Sequence, residues 1–313
     1  MNKMKKIGLT ALAASLVSVS AQAVDISGGS SLSYNGGNDG VQGNPWSMND
    51  SLTFSWGGEL DNGFTVDMSF LLDNSDGAAS QIFDNRTLAI GMGDAGTLTF
   101  WGQAGSGVVG SFDDRTPNAY EESWNSADSP NQGHSTSNMF YYTNALDAAT
   151  LHASFTPAGT SGYDASTEIG AVITAIDNLE LYGAIGTDNG SSSEVDNTIM
   201  GLKYTMGGAT IGLQSNKADS AAANGDEDFT AWSISYAVSE DMSVSYGQSK
   251  IKYETATQED QDATGISASY TMGSMTLAGV VNDITNQPTA VTGAGNTNDA
   301  ANETFEINLS FAF

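Results

Sequence analysis

The chain has 313 residues, with nine lysines and arginines against 37 aspartates and glutamates, and a formal charge of −28. A surface this acidic repels nucleic acid, and the absence of cysteine excludes disulfides and thiolate metal sites. Acidic chains of low hydrophobicity are often disordered, but 5 Trp, 11 Tyr and 12 Phe in a regular apolar–polar alternation favour a folded protein.

The first 23 residues have the three parts of a secretory signal peptide. A basic start around Lys5 is followed by an apolar run from Ile7 to Ser20 and by the small-x-small exit Ala21-Gln22-Ala23. The run is shorter than the ~20 residues of a spanning helix. The sequence therefore predicts cleavage after Ala23 and a mature domain over residues 24–313. Removing the three lysines of this segment leaves six bases against 37 acids, a formal charge of −31.

Beyond Ala23, apolar and polar residues alternate with the period of two that is typical of β-strands. No apolar stretch there is long enough for a spanning helix. Phe140-Tyr141-Tyr142 and Ala171-Val172-Ile173 are less regular, because they put apolar residues on both faces. Counting these two, sixteen segments are predicted to be strands: 26–34, 48–60, 64–72, 88–92, 98–100, 138–143, 151–155, 168–176, 179–185, 200–206, 211–213, 232–238, 242–246, 266–272, 275–281 and 305–313.

The last segment has the clearest pattern. One of its faces is wholly apolar and the other is polar, over about the ~9–11 residues that a tilted strand needs to cross a bilayer. After a secretory start, such a face is expected to meet lipid. The apolar face consists of Phe305, Ile307, Leu309, Phe311 and Phe313.

The connections between the segments alternate between short and long. The seven short ones include Asp177-Asn178, Gly207-Gly208 and Gly273-Ser274, whose residues accept the positive φ of tight hairpins. The eight long ones are 35–46, 74–85, 103–137, 157–167, 187–194, 216–227, 249–262 and 284–301. This asymmetry is typical of outer-membrane barrels. The sequence predicts an all-β fold: a transmembrane antiparallel up-and-down β-barrel of about 16 strands, with short periplasmic turns, long external loops and an aqueous lumen.

With these features the chain resembles the general diffusion porins of Gram-negative bacteria. The run from Ser111-Phe112-Asp113-Asp114 to Phe140-Tyr141-Tyr142 is most similar to the alphaproteobacterial branch. The resemblance implies a homotrimer in the outer membrane, among its lipids and lipopolysaccharide, with a third loop folded into the pore. It also implies passive diffusion of ions and small hydrophilic solutes. The terminal strand that ends at Phe313 would be the signal for the outer-membrane assembly machinery.

The third long connection, residues 103–137, exceeds the ~12–15 residues above which loops are usually functional or disordered. Phe112, Tyr120 and Trp124 favour packing against a wall, and the resemblance places that wall inside the barrel. The alternative is a solvated external loop. The charged residues expected at the constriction are Asp113, Asp114, Arg115, Glu121, Glu122 and Asp128.

Two basic residues are candidates for the pore wall. Lys203 lies between the outward Leu202 and Tyr204, so its parity places it in the lumen. Arg86 has the outward parity of Leu88; we expect it at the rim of its strand, bending inward or into the third loop, where a charge costs ~0–1 rather than ~2–4 kcal/mol. Because acids exceed bases about sixfold in the mature chain, the pore should be weakly cation-selective, less so at high salt.

Oxygen-rich clusters near Asn35, Asp73 and Asn296 make Ca²⁺ binding an open alternative, although none has the spacing of a recognised calcium loop. Polar turn residues explain these clusters more simply. The two histidines, His134 and His152, indicate no catalytic arrangement, and no enzyme activity is predicted. Two other functions stay open: a substrate-specific channel of the same architecture, and a surface structural or adhesive β protein without a pore.

Overall fold

The computed structural model describes residues 24–37, 44–73, 83–113, 115–122, 135–159, 164–190, 193–255, 258–286, 288–289, 297–298 and 302–313. The predicted signal peptide (1–23), Asp114, Trp124, Asp128 and His134 lie outside the described residues. Within the described ranges, no helix has the length and apolar character needed to cross a membrane.

Sixteen antiparallel strands form one closed barrel, as the alternation predicted. Each strand pairs with its neighbours in the chain, and the last strand also pairs with the first. The strands are β1 Asp25–Gly37, β2 Trp46–Glu59, β3 Thr65–Asp73, β4 Asn85–Gly91, β5 Thr97–Gln103, β6 Met139–Ala145, β7 Ala149–Thr156, β8 Ser166–Ile176, β9 Leu179–Asp188, β10 Val195–Met206, β11 Ala209–Ser220, β12 Glu227–Ala237, β13 Met242–Tyr253, β14 Gln261–Met272, β15 Met275–Thr285 and β16 Asn302–Ala312.

The barrel closes where β16 meets β1. Leu309 stands opposite Leu32 in this pair, and the ladder continues to the last residue. The amide of Gly28 donates to the Phe313 carbonyl at 2.9 Å, and the amide of Phe313 donates to the Gly28 carbonyl at 2.9 Å. Closure therefore pairs the backbone of the first and last strands, which an outer-membrane barrel needs because lipid offers no hydrogen bonds.

The predicted short turns are confirmed. Asn178, Gly207 and Gly273 have φ values of 63°, 62° and 61°, which is the left-handed conformation that their sequence indicated. Two long loops are only half as long as predicted, with 221–226 in place of 216–227 and 254–260 in place of 249–262. Outward side chains become polar near Lys217, so the apolar–polar alternation ends there in the sequence. The backbone hydrogen bonds between the strands continue beyond this point, and the strands are therefore longer than the pattern indicated.

The outer face of the barrel is apolar and exposed. Met48 and Ile266, for example, are 66% and 60% exposed. On the inner face the strands carry small or polar residues such as Ser233, Ser267 and Asn282. A continuous exposed belt of this kind is the lipid-facing surface of a transmembrane barrel.

Among the described residues, two apolar clusters lie inside the barrel. The first joins the third loop to the wall and consists of Val108, Val109, Phe112, Val172, Tyr182, Ala184 and Ile199, with Tyr141 against it. The second lies on the inner face of β12–β15 and consists of Phe229, Ala231, Ile251, Ala263 and Ile284. The first cluster explains the two irregular segments of the sequence. Their extra apolar residues, Tyr141 and Val172, face inward because they support the loop.

Candidate functional site

The third loop enters the barrel directly after β5. Two-residue strands at Gly105–Ser106 and Ser135–Thr136 pair at its base. The amide of Val108 then donates to Ser154 Oγ of β7 at 3.2 Å, and the amide of Val109 donates to Glu168 Oε2 of β8 at 3.0 Å. Ser154 Oγ also donates to this carboxylate oxygen at 3.0 Å, and Glu168 is only 2% exposed. A buried carboxylate thus fixes the entry of the loop.

The loop then crosses the lumen from strand to strand. Asp113 accepts hydrogen bonds from the β11 side chains of Gln214 (3.3 Å) and Asn216 (2.6 Å). The carbonyl of Pro117 accepts from Ser233 of β12 at 2.8 Å, and the amide of Ala119 donates to Ser245 of β13 at 3.0 Å. These contacts confirm the inward fold of the third loop.

At the far side, Tyr120 reaches β16. Its hydroxyl donates to Glu306 Oε1 at 3.3 Å. Burial raises the pKa of Tyr120, and the carboxylates of Glu306 and Glu121 raise it further. The tyrosine therefore stays a neutral donor and holds the loop to the opposite wall throughout the physiological pH range.

Inward glycines let the loop lie close to the wall. A Cβ atom added at Gly170 would be 2.8 Å from Val108 Cγ1, and one added at Gly212 would overlap Pro117 Cδ. Real Cβ contacts are essentially never this close. The missing side chains on β8 and β11 therefore provide the space for the loop.

A compact charged cluster lies where the loop meets β9 and β10. Arg115 Nη2 is 2.8 Å from Glu180 Oε1, and Lys203 Nζ is 3.0 Å from the same oxygen. The Arg115 guanidinium also lies 5.2 Å from the ring centroids of both Phe112 and Tyr182, within cation–π range. These two bases and one acid give the cluster a formal charge of +1. It borders a cavity of about 880 Å³ that reaches the turn at 177–178.

Three other predicted site residues, Glu121, Glu122 and Arg86, lie apart from this cluster. Glu121 and Glu122 are partly buried near the end of the described part of the loop. Arg86 lies at the outer end of β4, opposite the outward Phe70, and its Nη2 donates to the Gly102 carbonyl at 3.4 Å. The structure thus brings Arg115 and Lys203 together at the third loop, whereas Arg86 lies at the rim of the barrel on β4.

Sequence reasoning missed three carboxylates that hold the loop: Glu168, Glu180 and Glu306. The signal was present, because Glu180 and Glu306 each stand between two apolar residues and Glu168 directly precedes the outward Ile169, which gives all three inward parity. His152 also has a supporting role. Its ring packs edge-on against Phe112 at 5.1 Å, and Nδ1 is 3.1 Å from the Tyr141 hydroxyl.

The calcium alternative receives no support from the described residues, among which no group of three or more acidic or histidine side chains could hold a metal. Much of the three oxygen-rich clusters lies outside the described ranges. Metal binding there stays a prediction.

A closed sixteen-stranded transmembrane barrel with a loop across its lumen is the architecture of a porin. A profile of Gram-negative porins matches residues 8–313, and this chain belongs to that family. The fold is similar to the trimer form of OmpT from Vibrio cholerae, with a TM-score of 0.72, 12% identity and coverage of 93% of this chain and 99% of that one. A triple mutant of Rhodopseudomonas blastica porin gives a TM-score of 0.67, 17% identity and coverage of 93% and 100%.

No curated protein sequence matches. Membership of the porin family and the closed sixteen-stranded barrel together identify the protein as an outer-membrane diffusion channel. They point to a channel rather than to an enzyme.

Proposed function

We propose that this porin passes small hydrophilic solutes and ions with a weak preference for cations, through a constriction formed by the third loop. The constriction residues would be Asp113, Asp114, Arg115, Glu121, Glu122 and Asp128, with Lys203 on the wall and Arg86 at the rim. The cation preference is inferred from the face of the barrel on which each charged side chain lies: most bases lie on the outer face, and many acids lie on the inner face.

Most of the bases face away from the water-filled lumen. Residues directly opposite each other in antiparallel strands share a face. Arg86 is opposite the outward Phe70. Lys217 has the same parity along β11 as the outward Leu213, and it is opposite Asp228. On β12, Asp228 and Thr230 have the same parity as the outward Trp232; Lys252 is opposite Asp228, and Lys250 is opposite Thr230. Of the six bases beyond residue 23, only Arg115 and Lys203 remain inside.

Carboxylates, in contrast, are common on the inner face. By the same cross-strand parity, the strands place these acids toward the lumen: Glu59, Asp67, Asp73, Glu168, Glu180, Asp188, Glu227 and Glu306. Acidic walls favour cations. At physiological salt the Debye length is ~8 Å, so the preference should be modest.

Reversal potentials across a planar bilayer under a salt gradient test the proposal. A cation preference that shrinks as salt rises supports it, and an anion preference refutes it. A liposome-swelling series separates general from specific passage. A general porin sorts solutes by size, whereas a specific channel that used the 880 Å³ cavity beside Arg115 would sort them by identity.

We also propose a homotrimer whose contact includes the outer face of β1 and β2. Asp50 lies on this face between Met48 and Leu52, opposite Ser30. A carboxylate on a lipid-facing surface is unfavourable, although less so than a lysine or arginine at the same depth, and a second copy of the chain would remove this exposure. Asp50→Arg should therefore dissociate trimers on unheated gels. Asp228→Arg, which changes an outward acid on β12, should not.

Export would use residues 1–23 as a cleaved signal peptide, and Phe305, Ile307, Leu309, Phe311 and Phe313 would be the assembly signal. The outer membrane, with its lipids and lipopolysaccharide, would be the destination. Mass spectrometry of the mature N-terminus tests the cleavage: a product that begins at Val24 supports it. A barrel that still carries residues 1–23 in the outer membrane contradicts it.

A further inference from the structure

The cavity of about 880 Å³ lies below the third loop, on the side of the short turns. Residues 115–118 of the loop form its roof, and it extends along the inner wall of β8–β12 to the turn at 177–178. The short turns of an outer-membrane barrel face the periplasm. The cavity therefore opens toward the periplasm, and the loop lies between it and the external mouth of the pore.

The charges at the roofed end of the cavity are unusual for this acidic chain. Of the six bases beyond residue 23, the two inward ones both border the cavity. Arg115 Nη2 and Lys203 Nζ lie 2.8 and 3.0 Å from the same oxygen, Oε1 of Glu180. One base is enough to balance this carboxylate and to hold the loop, so the second adds an excess positive charge. Asp177 borders the other end, where it is exposed in the turn and screened by water.

Three polar groups of the roof have no hydrogen-bond partner among the described residues. They are the Thr116 hydroxyl, Arg115 Nε and Asn118 Oδ1, and Thr116 is only 5% exposed. Buried polar groups are normally paired, so water or a solute group that enters from the cavity is the available partner. The facing wall adds the hydroxyls of Thr174, Thr205, Thr210 and Ser235. A solute that carries several hydroxyl groups matches this surface.

We propose that the cavity binds small hydroxylated monocarboxylates, the chemical class of the sugar acids. The carboxylate would lie beside Arg115 and Lys203 and balance the excess charge. The hydroxyl groups would pair with Thr116, Asn118 and the threonines of the wall. A phosphate dianion would leave an excess negative charge at the same place. The inference rests on the pore proposed above and adds to it a site that retains one class of anion on the periplasmic side of a channel that prefers cations.

The test compares gluconate with sorbitol, which are linear six-carbon polyols of nearly the same size, one an anion and the other neutral. Each is added to one side of a planar bilayer at constant potassium concentration. The apparent dissociation constant is taken from the interruptions of the single-channel potassium current. A unit charge at contact distance is worth about fivefold in affinity even in water. Gluconate on the periplasmic side should therefore bind at least about threefold more tightly than sorbitol.

The orientation of the channel has to be known for this comparison. Asp94→Cys places a single thiol in the exposed periplasmic turn at 93–95, because the chain has no cysteine of its own. A bulky maleimide polymer added to one compartment then shows which side carries the short turns. From the external side gluconate has to pass the acidic constriction, so its binding should be weaker there.

One variant and a matched control test the site itself. Lys203→Met removes the excess charge and should weaken gluconate binding by about threefold or more, while sorbitol binding should change by less than about 1.5-fold. Lys217→Met removes the same charge from the outer face and should change neither constant. Arg115 is left intact in this test because it also holds the loop.

Equal constants for gluconate and sorbitol overturn the proposal, as does equal action of gluconate from both sides or an equal loss in the control. The solute comparison on the parent protein stays decisive if Lys203→Met does not fold. Reversal potentials of the same channels, measured without either solute, test the diffusion function separately. A cation-selective channel that treats gluconate and sorbitol alike would refute the anion site alone, whereas an anion-selective channel would refute the proposed cation preference.

Discussion

Ion selectivity should respond in opposite directions to two changes in the charged cluster. Lys203→Met removes a positive charge from the lumen, and Glu180→Gln removes a negative one. At about 6 Å in water, one unit charge changes the energy of a passing ion by about 0.7 kcal/mol. Screening with a Debye length of ~8 Å lowers this to about 0.3 kcal/mol. Because cations and anions respond oppositely, the permeability ratio should change by about threefold.

The assay is the reversal potential of single channels in a planar bilayer at low and physiological salt. Lys203→Met should raise the cation-to-anion permeability ratio, and Glu180→Gln should lower it. Lys217→Met is the matched control, because it removes the same charge from the outer face, next to Asp219. Equal shifts from Lys203 and Lys217, or the same direction in both lumen variants, would refute the assignment of these charges to the ion path.

Four further outcomes are expected. Glu168→Ala should weaken the loop attachment by about 1.5–3 kcal/mol, since a charged acceptor is lost, and speed hydrogen exchange at the Val109 amide while strand amides stay protected. Gly212→Val should push Pro117 away from the wall and lower single-channel conductance; an unchanged conductance would contradict the close approach. Phe313→Asp should reduce the yield of folded, heat-resistant barrel on gels, whereas Phe313→Tyr should retain it. Raising salt from ~0.1 to 1 M should bring the cation-to-anion permeability ratio toward the ratio of the two ions' mobilities in water. The reason is that the Debye length falls from ~10 to 3 Å and the charges of the protein are screened.

The strands could be predicted from the sequence because the membrane imposes a strict rule on each of them. An outward residue meets lipid and an inward one meets water, so alternation alone places Lys203 between Leu202 and Tyr204 on the inner side. The tight turns could also be predicted from the sequence, since residues such as Gly207 accept the left-handed conformation that most residues avoid.

The loop contacts could not be predicted in the same way. Arg115 and Glu180 are 65 positions apart, and no local pattern pairs them. The ends of long strands were also missed. Beyond the lipid, outward positions such as Lys217 and Asp219 become polar, and the alternation disappears although the ladder continues.

The successive attachments of the third loop have a mechanical consequence. A thin cylindrical wall deforms easily out of round, and a sheet one layer thick has little bending stiffness of its own. The third loop is hydrogen-bonded to β7, β8, β11, β12, β13 and finally β16. It resists such ovalisation, because an oval cross-section changes the distances between the strands that the loop connects. The loop should therefore stiffen the cross-section of the barrel, and the lumen should change shape less than it would without these attachments.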